Sequence, residues 1–139
     1  MTHEELKEET KRSEGDPHIK QQRRQRGQEI ATNRMLLDVD GADVVIVNPT
    51  HYAVALKWTR TPGSAPKCVA KGVDEIAARI RERASEAGVP IHQDPPTARA
   101  VHASVEVGDE IQPEHYIAVA AAIRFAEDLR KTAKDQSWG

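Results

Sequence analysis

The chain has 139 residues, with 20 Lys and Arg against 22 Asp and Glu and a formal net charge of −2. The length fits one domain with a real core, because a chain of ~150 residues buries roughly 70% of its unfolded surface. The near-balance of charge points to no polyanion or membrane surface, and one Phe, two Tyr and two Trp build little core, so part of the chain is expected outside it.

Residues 1–34 read as a charged linker, partly helical or disordered. Residues 1–16 hold six acids and three bases, whereas residues 17–34 hold Lys20, Arg23, Arg24, Arg26 and Arg34 against Glu29 alone. Asp16-Pro17 is a helix start, with Asp as N-cap and Pro at the first helical position. The helix it opens has no apolar stripe and reads as a solvated connector. The basic stretch leaves a nucleic-acid reading open, but no aromatic is interleaved for stacking, and no nucleic acid is expected as partner.

From Met35 the pattern changes, and residues 35–139 read as one globular domain. Asp43 to Val47 is a buried β-branched strand after the turn signal Asp40-Gly41. Asn48-Pro49-Thr50-His51 interrupts it, and Ala53 to Trp58 is a second strand. Pro62-Gly63 marks a loop, and Lys67 to Lys71 is a third strand. Asp74 is expected to cap a helix with Ile76, Ala77, Ile80, Ala84 and Ala87 on one face, ended by Gly88 and Pro90. Val89 to His92 is a fourth strand, so Cys68–helix–Ile91 reads as a βαβ unit. Asp94-Pro95-Pro96 starts a helix to Ser104. A last helix runs from about Pro113 to Lys134, and its Ala118 and Ala120 to Ala122 suit close approach to a sheet. The fold class is therefore α/β: a small mixed sheet of about four strands, flanked by about four helices, behind a linker helix.

The longest apolar run, Tyr116 to Ile123, has eight residues, and a membrane span needs ~20. The opening MTHEELKEETKR carries no apolar segment, so no secretory leader is expected. Cys68 is the single cysteine, which excludes an internal disulfide and a Cys-rich zinc site, and it reads as a buried structural thiol. No phosphate-binding glycine motif, nucleophile elbow or His pair at zinc-ligand spacing is present. No cofactor and no metal are expected.

Asn48-Pro49 carries a distinct chemistry beside its plain reading as a turn. The Asn side-chain amide nitrogen can attack its own backbone carbonyl, forming a succinimide and expelling the next residue's amine. The usual competitor is attack by the following backbone nitrogen on the side chain. Here that nitrogen belongs to Pro49 and carries no proton, so scission is the cyclisation that remains. It needs the nucleophile roughly 3–3.5 Å from the carbonyl carbon and donors for the developing oxyanion. His51, an imidazole titrating near pH ~6.5 when unperturbed, suits proton transfer; turn packing is its plain role. Thr50 suits a hydrogen bond across the turn.

Asn48-Pro49-Thr50-His51 resembles the self-cleavage motif of the type III secretion substrate-specificity-switch proteins, the FlhB/YscU/SpaS family. Glu14 to His18 resembles the family's linker signature. The segments Ala42 to Leu56, Ala65 to Gly72, Pro95 to Ala100 and Ile111 to Tyr116 follow in the family's order. Tyr52 and Ala65-Pro66-Lys67 favour the flagellar branch. Thr97, His102 and the placing of Gln112-Pro113 depart from the family's usual residues.

The resemblance implies a cytosolic domain at the cytoplasmic face of the bacterial inner membrane, whose parent carries transmembrane helices upstream. It implies one single-turnover cut between Asn48 and Pro49, by Asn48, Pro49, Thr50 and His51, rather than a turnover enzyme. The two pieces remain associated, and export changes from rod and hook proteins to filament proteins. Expected partners are export-gate and cytosolic components of the flagellar apparatus, a hook-length ruler protein and export substrates, with Tyr52 and Arg99 as candidate contact residues. A non-cleaving module that docks export substrates is the alternative, with nucleic-acid binding behind it.

Overall fold

A computed structural model of the chain describes residues 17–49 and 51–136. Asp16, expected to cap the first helix, lies outside them. The chain divides into two compact units between Arg34 and Met35. Helix α1 runs Pro17–Val39. Its residues 20–31 are all exposed, whereas Leu36 and Val39 in its last turn are buried.

Four strands follow: β1 Val44–Asn48, β2 Tyr52–Lys57, β3 Lys67–Val73 and β4 Ile91–Gln93, in sheet order β3-β2-β1-β4. β1 and β2 form an antiparallel hairpin running from Asn48↔Tyr52 to Val44↔Leu56. β3 is antiparallel to β2, with a register shift between Ala55 and Leu56. β4 is parallel to β1. The expected βαβ unit is thus correct in strand direction, but its two strands lie at opposite edges with β1 and β2 between them.

Both faces of the sheet are covered, which explains why the central strands β1 and β2 are rich in Val and Ala without polar alternation, whereas the edge strand β3 alternates buried residues with less buried ones. Val45, Val47, Ala53, Ala55 and Ala70 pack with helix α2, Asp74–Ala87, through Ala77, Ile80 and Ala84, and with Leu36 and Val39. Val44, Ile46, Val54, Leu56 and Cys68 pack on the other side with helices α3, Pro95–Ser104, and α4, Tyr116–Gln136. A 3-10 turn, Pro113–His115, leads into α4. Of the alanines expected to approach the sheet, Ala122 is buried and Ala118 half-buried, while Ala120 and Ala121 are exposed; Ala126, a turn further on, is buried instead. The mixed sheet with helices on both faces is the expected α/β class.

Two details set the geometry near the 48–51 turn. Gly72 lies opposite Ala53, and a Cβ on it would collide with the Ile76 side chain, so α2 sits directly on the backbone of β3. Asp74 does not cap α2. Val73 holds the cap position without a side-chain hydrogen bond, and Asp74 is the first helical residue. The helix ends as expected, with Gly88 left-handed at φ 74 and the Gly88 and Val89 N–H groups donating to the Ser85 and Ala84 carbonyls.

Candidate functional site

Asn48 is the last residue of β1, and His51 directly precedes β2. Period-two alternation places Asn48 on the face of Val44 and Ile46, and the residue is half-buried. Pro49 and His51 are exposed. Thr50, expected to bond across the turn, lies outside the described residues.

Backbone hydrogen bonds tie both ends of the turn. The Val47 carbonyl accepts from Asp94 N–H at 3.1 Å, and the His51 carbonyl accepts from Asp74 N–H at 2.9 Å. Between them, the Asn48 carbonyl accepts from His51 N–H at 3.0 Å. That oxygen belongs to the peptide bond joining Asn48 to Pro49. A donor at this distance polarises the carbonyl and is placed to stabilise charge gathering on its oxygen.

The His51 side chain is 66% exposed. Its Nδ1 lies 3.6 Å from the Asp74 carboxylate, itself 76% exposed. Asp74 has φ 49, the left-handed region, an uncommon state for a residue with a side chain. The sequence pattern assigns Asp74 only to a helix start. Its neighbourhood with His51 follows from the β2–β3 register, which pairs Tyr52 with Val73 and so sets His51 opposite Asp74.

Tyr52 is half-buried against the α3–α4 side of the core, with its ring 5.0 Å from that of His102. Lys71 Nζ donates to the His102 carbonyl at 3.1 Å and lies 3.8 Å from Glu106. Burial, aided by the Lys71 charge, pushes the His102 imidazole below its ordinary value. Tyr52 thus anchors the strand that follows the turn. Arg99 is exposed on α3.

A second feature lies at the far end of β2. A groove of about 480 Å³ runs between the β2–β3 loop and α4, with Trp58, Ala65, Pro66, Tyr116, Ala120 and Ile123 among its walls. Arg60 braces it, lying 5.4 Å over the Trp58 ring and donating to Glu127 at 2.6 Å. Its other guanidinium nitrogen reaches Asp43 at 3.4 Å.

Among the described residues no His, Cys, Asp and Glu cluster suits a metal ion, and no helix is long and apolar enough to cross a membrane. Cys68 is fully buried, and burial pushes its thiol up to about 11, the state of an inert structural cysteine.

Known proteins resemble this chain along most of its length. It is 44% identical over 135 residues to the flagellar biosynthetic protein FlhB of Yersinia enterocolitica, covering 97% of this chain and 35% of the relative. The FlhB of Bacillus subtilis strain 168 is 46% identical over 123 residues, covering 88% and 34%. The chain therefore spans about a third of the length of these relatives. Among solved structures, the cytoplasmic domain of FlhB from Shewanella putrefaciens superposes with a TM-score of 0.68 at 40% identity, covering 72% of this chain and 82% of that one. A mutated EscU C-terminal domain gives a TM-score of 0.63 at 26% identity, covering 66% and 92%. Residues 1–126 match the family described as FlhB HrpN YscU SpaS, and it is to this family that the chain belongs.

Proposed function

We propose that the chain is the cytosolic domain of a flagellar type III protein-export component that cuts itself once, between Asn48 and Pro49, and thereby changes the class of protein exported. The carrying observation is the Asn48 carbonyl, held under the His51 N–H at 3.0 Å in a turn tied at both ends. Family membership and the flagellar names of the relatives support the export role.

In this reading the Asn48 side-chain nitrogen Nδ2 attacks the Asn48 carbonyl carbon. The Nδ2–C bond forms, charge gathers on the carbonyl oxygen, and the His51 N–H stabilises it. Removing one such donor typically lowers a rate ~10²- to 10³-fold. The C–N bond to Pro49 then breaks. The proton lost by Nδ2 ends on the Pro49 nitrogen, carried by His51 or by water through it. Proton transfer by a placed side chain contributes ~10²- to 10⁴-fold. Water later opens the succinimide, and no cofactor enters.

The cut frees Pro49 to His51 from their tether to β1, while β1 stays in the sheet between β2 and β4. The rearranged turn exposes a surface read by export-gate and cytosolic components at the inner face of the bacterial membrane, or by the hook-length ruler. The test is Asn48→Ala in flagellated cells. Scission should vanish, and hook proteins should still be exported while filament protein is not. A variant that still cuts at this bond removes the cyclisation mechanism; one that fails to cut yet exports filament protein removes the switch.

A second reading, docking of export substrates, is favoured by the braced apolar groove beside Trp58. Its occupant is a short apolar segment of an exported protein. It predicts equal peptide affinity for wild type and Asn48→Ala by calorimetry, and weaker binding when Ile123 is replaced by Asp.

A further inference from the structure

Asp74 meets His51 twice. Its backbone N–H donates to the His51 carbonyl at 2.9 Å, and its carboxylate lies 3.6 Å from His51 Nδ1. It does so from a left-handed backbone at φ 49, with no side-chain cap on the helix it begins. An outlier of this kind persists where its surroundings over-determine it, and such outliers gather at functional sites. Here the surroundings are the β2–β3 ladder on one side and α2, seated on Gly72, on the other.

We propose that Asp74 is the positioning residue of His51: its backbone fixes the end of the 48–51 turn, and its carboxylate selects the imidazole form with the proton on Nδ1, leaving Nε2 as proton acceptor. The role rests on the self-cleavage reading. Asp74 touches neither the scissile bond nor the attacking amide; it acts through His51. The 3.6 Å separation is longer than a hydrogen bond, and catalytic contacts of this kind tighten as the reaction proceeds. Both side chains face water, so the effect is that of a surface pair, about two- to fivefold in rate.

Two variants isolate the carboxylate. Asp74→Gly accepts the left-handed backbone and keeps the N–H, while Asp74→Asn keeps the shape and tolerates the same backbone. Scission is followed on denaturing gels after pulse-labelled cell-free synthesis. Both variants should cut about two- to fivefold more slowly than wild type, with unchanged folding. The second readout does not need scission. In uncut Asn48→Ala, nitrogen–proton correlation spectra at pH 8 should show His51 mainly protonated on Nδ1. Adding Asp74→Asn or Asp74→Gly should shift it toward Nε2–H, the favoured form in water, a change that a purely structural residue does not produce. Wild-type rates in both variants, or an Nε2–H majority with Asp74 present, would overturn the assignment. If wild type itself does not cut, the self-cleavage reading fails, and the His51 spectrum still decides whether Asp74 sets the imidazole form.

Discussion

Asn48 is followed by a residue without an amide proton, and that pairing decides which cyclisation is open. Asn48→Ala removes the only nucleophile the mechanism has, so no scission is expected on denaturing gels after days of incubation. The stability of this variant should match wild type, since Asn48 is half-buried at a strand end. Cys68 gives a pH prediction. Its thiol is held protonated up to about 11 in the fold, against 9.0 when unperturbed. A folded-state value raised this way leaves stability whole below pH ~9 and erodes it as pH rises toward 11, by about 2–3 kcal/mol. Chemical denaturation of wild type and Cys68→Ala across pH 8 to 11 checks it: wild type should lose the extra stability and the variant should not. Gly72→Ala drives a methyl into Ile76. Overpacking of this kind costs ~1–3 kcal/mol, and the melting temperature should fall by several degrees while scission persists in the folded fraction.

The elements around the turn were legible to different depths. β1 announces itself as a β-branched run after a turn signal, β2 and β3 as short apolar stretches on either side of the Pro62-Gly63 loop, and Asp94 as the cap of α3 by the Pro95-Pro96 that follows it. The cap is present: Thr97 Oγ1 donates to the Asp94 carboxylate at 2.6 Å, and Thr97 N–H reaches it at 3.4 Å. Not legible was that the Asp94 N–H also holds the Val47 carbonyl, since that bond depends on β4 lying beside β1. The same holds for Asp74, which reads locally as a helix cap and becomes a neighbour of His51 only through strand register. Linear pattern also gave no sign that residues 108–111 close the outer edge of β3. There Gly108 N–H donates to the Cys68 carbonyl at 2.7 Å, and Cys68 N–H donates to Asp109 at 2.9 Å. Arg60 escaped notice in its loop, yet it braces the groove from a left-handed backbone at φ 62. Asp94→Ala should cost ~1 kcal/mol of stability through the lost cap and leave the backbone bond to Val47 in place. Thermal melting should therefore drop modestly and scission continue.

At the scale of the molecule, the reading is of one domain built from two pieces, of 48 and 91 residues. Val44 to Val47 are almost wholly buried and pair with β2 on one side and β4 on the other. The shorter piece also contributes Leu36, Val39 and Ala42 to the core. Each of those apolar side chains stabilises the association by ~1.5–3 kcal/mol when fully buried, Ala42 by less, so the nicked domain should run as one species in native gel filtration and separate only in denaturant. The most direct test is the mass of the purified protein after denaturation. Two chains, cut between Asn48 and Pro49 and co-purifying as one folded particle, are expected. A single intact chain of 139 residues after prolonged incubation would contradict it.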